Sequence, residues 1–148
     1  MEDSNIPEEV LVNNFSRKKL STFTTFKESY DLNYEAYEPD PKKLKTLSKL
    51  LKDKKITVVL GTWCEDSRVY LPRFLKVMDA INIPENQITY IGVDAEKKAK
   101  KKLIQPFKIE KVPTFIFSDA KGDEIARITE SPEKTFEKDI AKKLKPAK

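Results

Sequence analysis

Ile56-Thr57-Val58-Val59-Leu60-Gly61 runs directly into Thr62-Trp63-Cys64-Glu65-Asp66-Ser67. The first half is apolar and β-branched without alternation, as expected of a strand buried on both faces. Tyr70, Phe74, Val77, Met78 and Ile81 then recur at helical spacing, which predicts a helix opening just after the cysteine. A cysteine at that junction meets unpaired backbone N–H groups and the positive end of the helix dipole, and both favour thiolate over thiol. The competing reading makes Cys64 a small buried hydrophobe, as many lone cysteines are. Its place between a strand end and a helix start favours an exposed or semi-exposed thiol. Glu65 and Asp66 read either as capping charges for the helix or as part of the site.

Moving outward from this stretch, helix and strand alternate. Upstream, Phe23, Phe26, Tyr30, Tyr34 and Tyr37 fall at spacings of three and four, one face of a helix whose simplest role is packing. Asp40-Pro41 offers an N-cap followed by proline at the first helical position, and Leu44, Leu47, Leu50 and Leu51 give that helix one apolar face. Downstream, Gln87 to Val93 reads as a second buried strand, Asp94 to Gln105 as a charged helix and Thr114 to Phe117 as a third strand. Lys121-Gly122-Asp123 supplies a turn into Glu124 to Thr129, a hairpin partner. Ser131-Pro132 is expected to cap a last helix with Phe136, Ile140 and Leu144 facing inward.

At 148 residues the chain fits one domain with at most a small appended segment. Its 29 Lys and Arg stand against 24 Asp and Glu, with no histidine and one cysteine. Those counts exclude a structural zinc site, a haem-attachment motif, a His-based acid/base centre and an intramolecular disulfide. No apolar run approaches the roughly 20 residues of a membrane span, and the acidic N-terminus does not resemble a signal peptide. The expected location is a reducing cytoplasm. Charge is unevenly placed: residues 1–40 carry 4 basic and 9 acidic side chains, whereas 41–55 carry 7 and 1. The Lys97-Lys98-Ala99-Lys100-Lys101-Lys102 run lacks arginine and interleaved aromatics, so it reads as a solvated helical face rather than a nucleic-acid patch.

Trp63-Cys64-x-x-Ser67 after a hydrophobic strand resembles the thioredoxin active site with serine at the second cysteine position. Pro72 lies where thioredoxins carry the proline that kinks this helix, and Asp94 ends the next strand as in that family. Val112-Pro113-Thr114 ahead of Phe115-Ile116-Phe117 is similar to the cis-proline loop that faces the active-site cysteine. The likeness spans roughly residues 55 to 145 and is nearest to bacterial thioredoxin-like proteins with a Trp-Cys-x-Asp-Ser motif. It implies an α/β thioredoxin fold with a central mixed sheet flanked by helices. Residues 1–40 would form a helical N-terminal extension packed on the domain, and 41–148 the thioredoxin-like domain.

The resemblance also implies a site: Cys64 and Ser67 for chemistry, with Ser67 hydrogen-bonding the sulfur, and Trp63, Glu65, Asp66, Val112, Pro113 and Thr114 for substrate. No metal or cofactor is implied, and the partners would be protein thiols or disulfides. Three departures matter. Ser67 cannot resolve a mixed disulfide, Val58 stands where thioredoxins place a buried acid, and Glu65-Asp66 replaces the usual Gly-Pro. Three functions therefore remain open: monothiol exchange through Cys64, a non-catalytic binding module that keeps the groove, and a glutathione-dependent monothiol protein. The last lacks the paired glycines after Phe117 that help monothiol glutaredoxins grip glutathione.

Overall fold

The computed structural model describes residues 13–20, 24–94 and 107–144. Among them, five strands form one mixed sheet in the order β1-β3-β2-β4-β5. The strands are β1 (Asn13–Phe15), β2 (Lys55–Leu60), β3 (Ile88–Gly92), β4 (Thr114–Ser118) and β5 (Glu124–Thr129). β2 and β3 run parallel, with Ile56 opposite Ile88 and Leu60 opposite Gly92, while β4 is antiparallel to both β2 and β5. The helices are α1 (Arg17–Leu20), α2 (Thr24–Ala36), α3 (Pro41–Leu51), α4 (Glu65–Ala80) and α5 (Phe136–Lys143).

The period-2 geometry of β2 divides its side chains between two cores. Ile56, Val58 and Leu60 face a large cluster in which Phe74, Leu71 and Leu75 of α4 meet Phe115, Phe117 and Phe136. Phe74 sits at the centre, with ring centroids 4.7 Å from Phe115 and 5.4 Å from Phe136. Phe26, Leu20, Leu47 and Leu51 extend this core under the N-terminal helices, and of the expected aromatic stripe Tyr30 and Tyr37 also pack against it. Val59 faces the other way, into a smaller cluster with Ile91, Val93, Val112 and Ile116, against which Trp63 and Cys64 pack.

Several details differ from the sequence reading. The N-terminal segment is not purely helical, because Asn13-Asn14-Phe15 pairs antiparallel with β3, Phe15 opposite Tyr90. A free sheet edge recruits those residues despite the poor strand propensity of asparagine. α2 ends at Ala36, so Tyr37 lies beyond the helix. There its hydroxyl donates to the buried carboxylate of Glu137, which also accepts from the Asp40 N–H. Gln87 belongs to a 3-10 turn over Glu85–Gln87 rather than to β3, and its side-chain amide donates to the Leu51 and Lys54 carbonyls. The last helix is capped by Thr135, whose hydroxyl accepts from the Lys138 N–H, and not by Ser131-Pro132. Asp139 reaches back to the Glu133 and Lys134 N–H groups, so residues 131–134 form a loop tied to the helix rather than its first turn. Asp40 does cap α3, accepting from the Lys42 N–H at 3.0 Å. The expected helix from Asp94 to Gln105, with its lysine run, lies outside the described residues apart from Asp94, as does Phe23.

Candidate functional site

β2 delivers the chain into a tight turn in which the Cys64 N–H donates to the Gly61 carbonyl at 2.9 Å. Cys64 is the N-cap of α4, in extended conformation, and its side chain makes no capping bond. The cysteine is half-buried. Its sulfur lies 3.7 Å from the Val112 carbonyl oxygen, to which the thiol donates. The next peptide, Val112–Pro113, is cis. α4 and the loop before β4 therefore meet at the sulfur, although Cys64 and Val112 are 48 residues apart.

Around the sulfur each expected residue has a definite place. Trp63 donates its indole N–H to the Val93 carbonyl at 2.8 Å, which fixes the ring across the end of β3. Gly61 is required beneath it, since a Cβ there would stand 2.5 Å from the Trp63 ring. Glu65 and Asp66 occupy the first turn of α4 and are exposed. Both complement the positive end of the helix dipole. Thr114 is buried, its hydroxyl donating to the Lys111 carbonyl at 2.6 Å. Val112 is buried in the smaller core and Pro113 is buried beside it.

Ser67 behaves differently from expectation. It is fully buried, and its Oγ accepts the Gly61 N–H at 3.1 Å. The hydroxyl thus ties the strand end to the helix start, a role that a motif read locally assigns to the sulfur instead. Arg68 was missed altogether. Its Nε–H donates to the Thr62 carbonyl at 2.9 Å and its backbone N–H to the Cys64 carbonyl at 3.1 Å. The turn is therefore closed from inside by Ser67 and from outside by Arg68.

A cavity of about 470 Å³ lies elsewhere, between α1, α2 and the 3-10 turn, lined in part by Arg17, Leu20, Tyr30 and Glu85. The register places it at the opposite end of the sheet from Cys64, because Ser16 follows the end of β1 that pairs with the start of β3. Its charged groups are engaged with one another: Arg17 with Asp79, Tyr30 and Glu85, and Lys27 with Asp31. Its volume suits a small molecule, but the thiol chemistry is not there.

A cysteine-capped helix leaving a central parallel strand, with a cis-proline loop against the sulfur, is the arrangement of a thioredoxin-like α/β protein. A family model described as thioredoxin matches residues 13–145, and the chain belongs to that family. Among solved structures, a protein of unknown function from Pseudomonas aeruginosa is similar with a TM-score of 0.57 at 15% identity, covering 90% of this chain and 80% of that one. An HIV epitope-scaffold is similar with a TM-score of 0.54 at 16% identity, covering 88% of each chain. These likenesses concern the fold. No curated protein matches the chain. Among the described residues no helix is long and apolar enough to cross a membrane.

Proposed function

We propose that the protein is a monothiol exchange protein whose Cys64 thiolate attacks a disulfide of a partner protein. One partner sulfur becomes bonded to Cys64, and the other leaves as a thiolate that takes a proton from solvent. The observation that carries this reading is the half-exposed sulfur at the N-cap of α4 against the Val112 carbonyl. There the first-turn N–H groups can support the thiolate, while the Val112 backbone lies beside the sulfur where an extended substrate would run.

Ser67 has no thiol with which to expel the partner. Release therefore requires a thiol from outside, either the partner's own second thiol, giving isomerase-like exchange, or a small thiol such as glutathione. Turnover in insulin-type disulfide reduction is expected to be low in the natural sequence and to rise in Ser67→Cys. Robust turnover without that substitution would show that resolution is supplied elsewhere. The binding-module alternative is favoured by Val58, a fully buried valine at the position where thioredoxins place a buried acid. It predicts that Cys64 alkylates at neutral pH no faster than an ordinary surface cysteine.

A further inference from the structure

Pro72 stands inside α4 and has no N–H to give. The carbonyl deprived of its helical partner is that of Arg68, four residues earlier. The structure shows where its replacement comes from: Ser29 of α2 donates its hydroxyl to the Arg68 carbonyl at 3.1 Å. Ser29 is in turn fed along a chain of donors that all point the same way. The Arg73 guanidinium donates to Asn33 Oδ1 at 3.1 Å, and Asn33 Nδ2 donates to Ser29 Oγ at 3.2 Å. Asn33 Nδ2 also holds the Ser29 carbonyl at 2.9 Å. The chain leaves α4 just beyond Pro72, crosses one turn of α2 from Asn33 to Ser29, and returns to α4 just before Pro72. Hydrogen bonds aligned in this way polarise one another.

Arg68 is also the residue that closes the cysteine turn, through its N–H to Cys64 and its guanidinium to Thr62. We infer that Ser29 is a positioning residue for Cys64. It supplies the hydrogen bond that Pro72 withholds, and so makes the N-terminal helix α2 a splint for the first turn of the thiol-bearing helix. Asn33 and Arg73 orient its hydroxyl. The inference deepens the proposed exchange function and rests on it only where Cys64 reactivity is concerned. Without the splint, the Arg68 peptide can turn toward solvent, and the turn that Arg68 ties to Cys64 and Thr62 loosens around the sulfur.

The test is a double-mutant cycle read at the site itself. The protein's one tryptophan is Trp63, beside Cys64, so its fluorescence reports the turn whether or not the thiol reacts. Ser29→Ala is expected to shift Trp63 emission and to slow attack of Cys64 on a small peptide disulfide by roughly threefold to tenfold, the factor that one net hydrogen bond controls. Ser29→Thr, which keeps the hydroxyl, should restore both. Asn33→Ala should act in the same direction and less strongly. In a Pro72→Ala background the helix N–H is returned to the Arg68 carbonyl, and Ser29→Ala should then leave Trp63 unmoved. Equal shifts with and without Pro72, or a loss of stability in Ser29→Ala with unchanged Trp63 emission, would overturn the splint. Should Cys64 fail to attack a disulfide in every variant, the exchange function falls, while the Trp63 cycle still decides the role of Ser29.

Discussion

The two ends of α4 are built on opposite plans. At its start stands Cys64, half-exposed, with its sulfur bonded to one backbone carbonyl and two exposed carboxylates following it. At its end stands Asp79, held by both Arg17 Nη atoms at 2.8 and 2.7 Å and by the Tyr34 hydroxyl. Arg17 also donates to Tyr30 and Glu85, and Tyr90 donates to Glu85, so α1, α2, α4 and β3 converge on one charged cluster. Burial and the Asp79 carboxylate push the Tyr34 hydroxyl up to about 12. Burial opposes the charged form of Asp79, yet the Arg17 and Tyr34 bonds hold its carboxyl below the usual range. The difference teaches that the charged pairs that secure the helix lie away from the thiol, whose own end is held by neutral and backbone acceptors. Stability and reactivity should therefore be separable by mutation.

Asp79→Ala tests that separation with the largest effect. It leaves the Arg17 guanidinium with Glu85 and Tyr30 alone, and should cost about 2 kcal/mol, less than the roughly 3–5 kcal/mol of a fully buried pair because both side chains keep some contact with water. Urea unfolding measures the cost. The alkylation rate of Cys64 in the folded variant should not change, and a parallel loss would show the two ends to be coupled.

Gly61→Ala attacks the other end. The added methyl must displace the Trp63 ring, at a cost of about 1–3 kcal/mol typical of overpacking. Trp63 emission should shift in this variant, whereas Asp79→Ala leaves it in place. A silent Trp63 would mean that the ring does not depend on the glycine.

The charged end should also set the pH dependence. The Asp79 carboxyl is depressed on folding, so its contribution is present above the ordinary carboxylate range and is lost as pH falls through its folded value. The Tyr34 hydroxyl is raised, so its contribution is full below its ordinary value of 10.0 and is lost as pH rises from there to about 12. Asp79→Asn should flatten the acid limb of stability against pH, and Tyr34→Phe the alkaline limb. Unchanged limbs would move the titrating groups elsewhere. The smallest effect is expected from Cys64→Ser, which should alter stability by less than about 0.5 kcal/mol because the side chain neither fills the main core nor caps the helix.

The sequence made the site end legible and left the other end hidden. Ile56 to Leu60, the helical spacing from Tyr70 and the Trp63-Cys64 junction are local signals, and each corresponds to an observed element. Arg17 and Asp79 lie 62 residues apart, so no local pattern announces their pairing. β1 was invisible because its residues are strand only by virtue of the β3 edge that receives them. Ser67 was visible as a residue and misread as a partner: spacing from Cys64 pointed to the sulfur, whereas the buried hydroxyl meets the N–H of Gly61. The cap of α5 went to Thr135 because the Asp139 side chain, six residues from Glu133, claims the loop that Ser131-Pro132 begins.

The most direct measurement mixes the reduced protein with an excess of a disulfide-linked dimer of a single-cysteine peptide, whose adduct carries no second thiol, at neutral pH and follows its mass with time. A thiol exchange protein without a resolving cysteine should gain one peptide on Cys64, hold that mixed disulfide until an external thiol is added, and gain nothing as Cys64→Ser. Absence of an adduct on the folded natural sequence, or its spontaneous release without added thiol, would contradict the account.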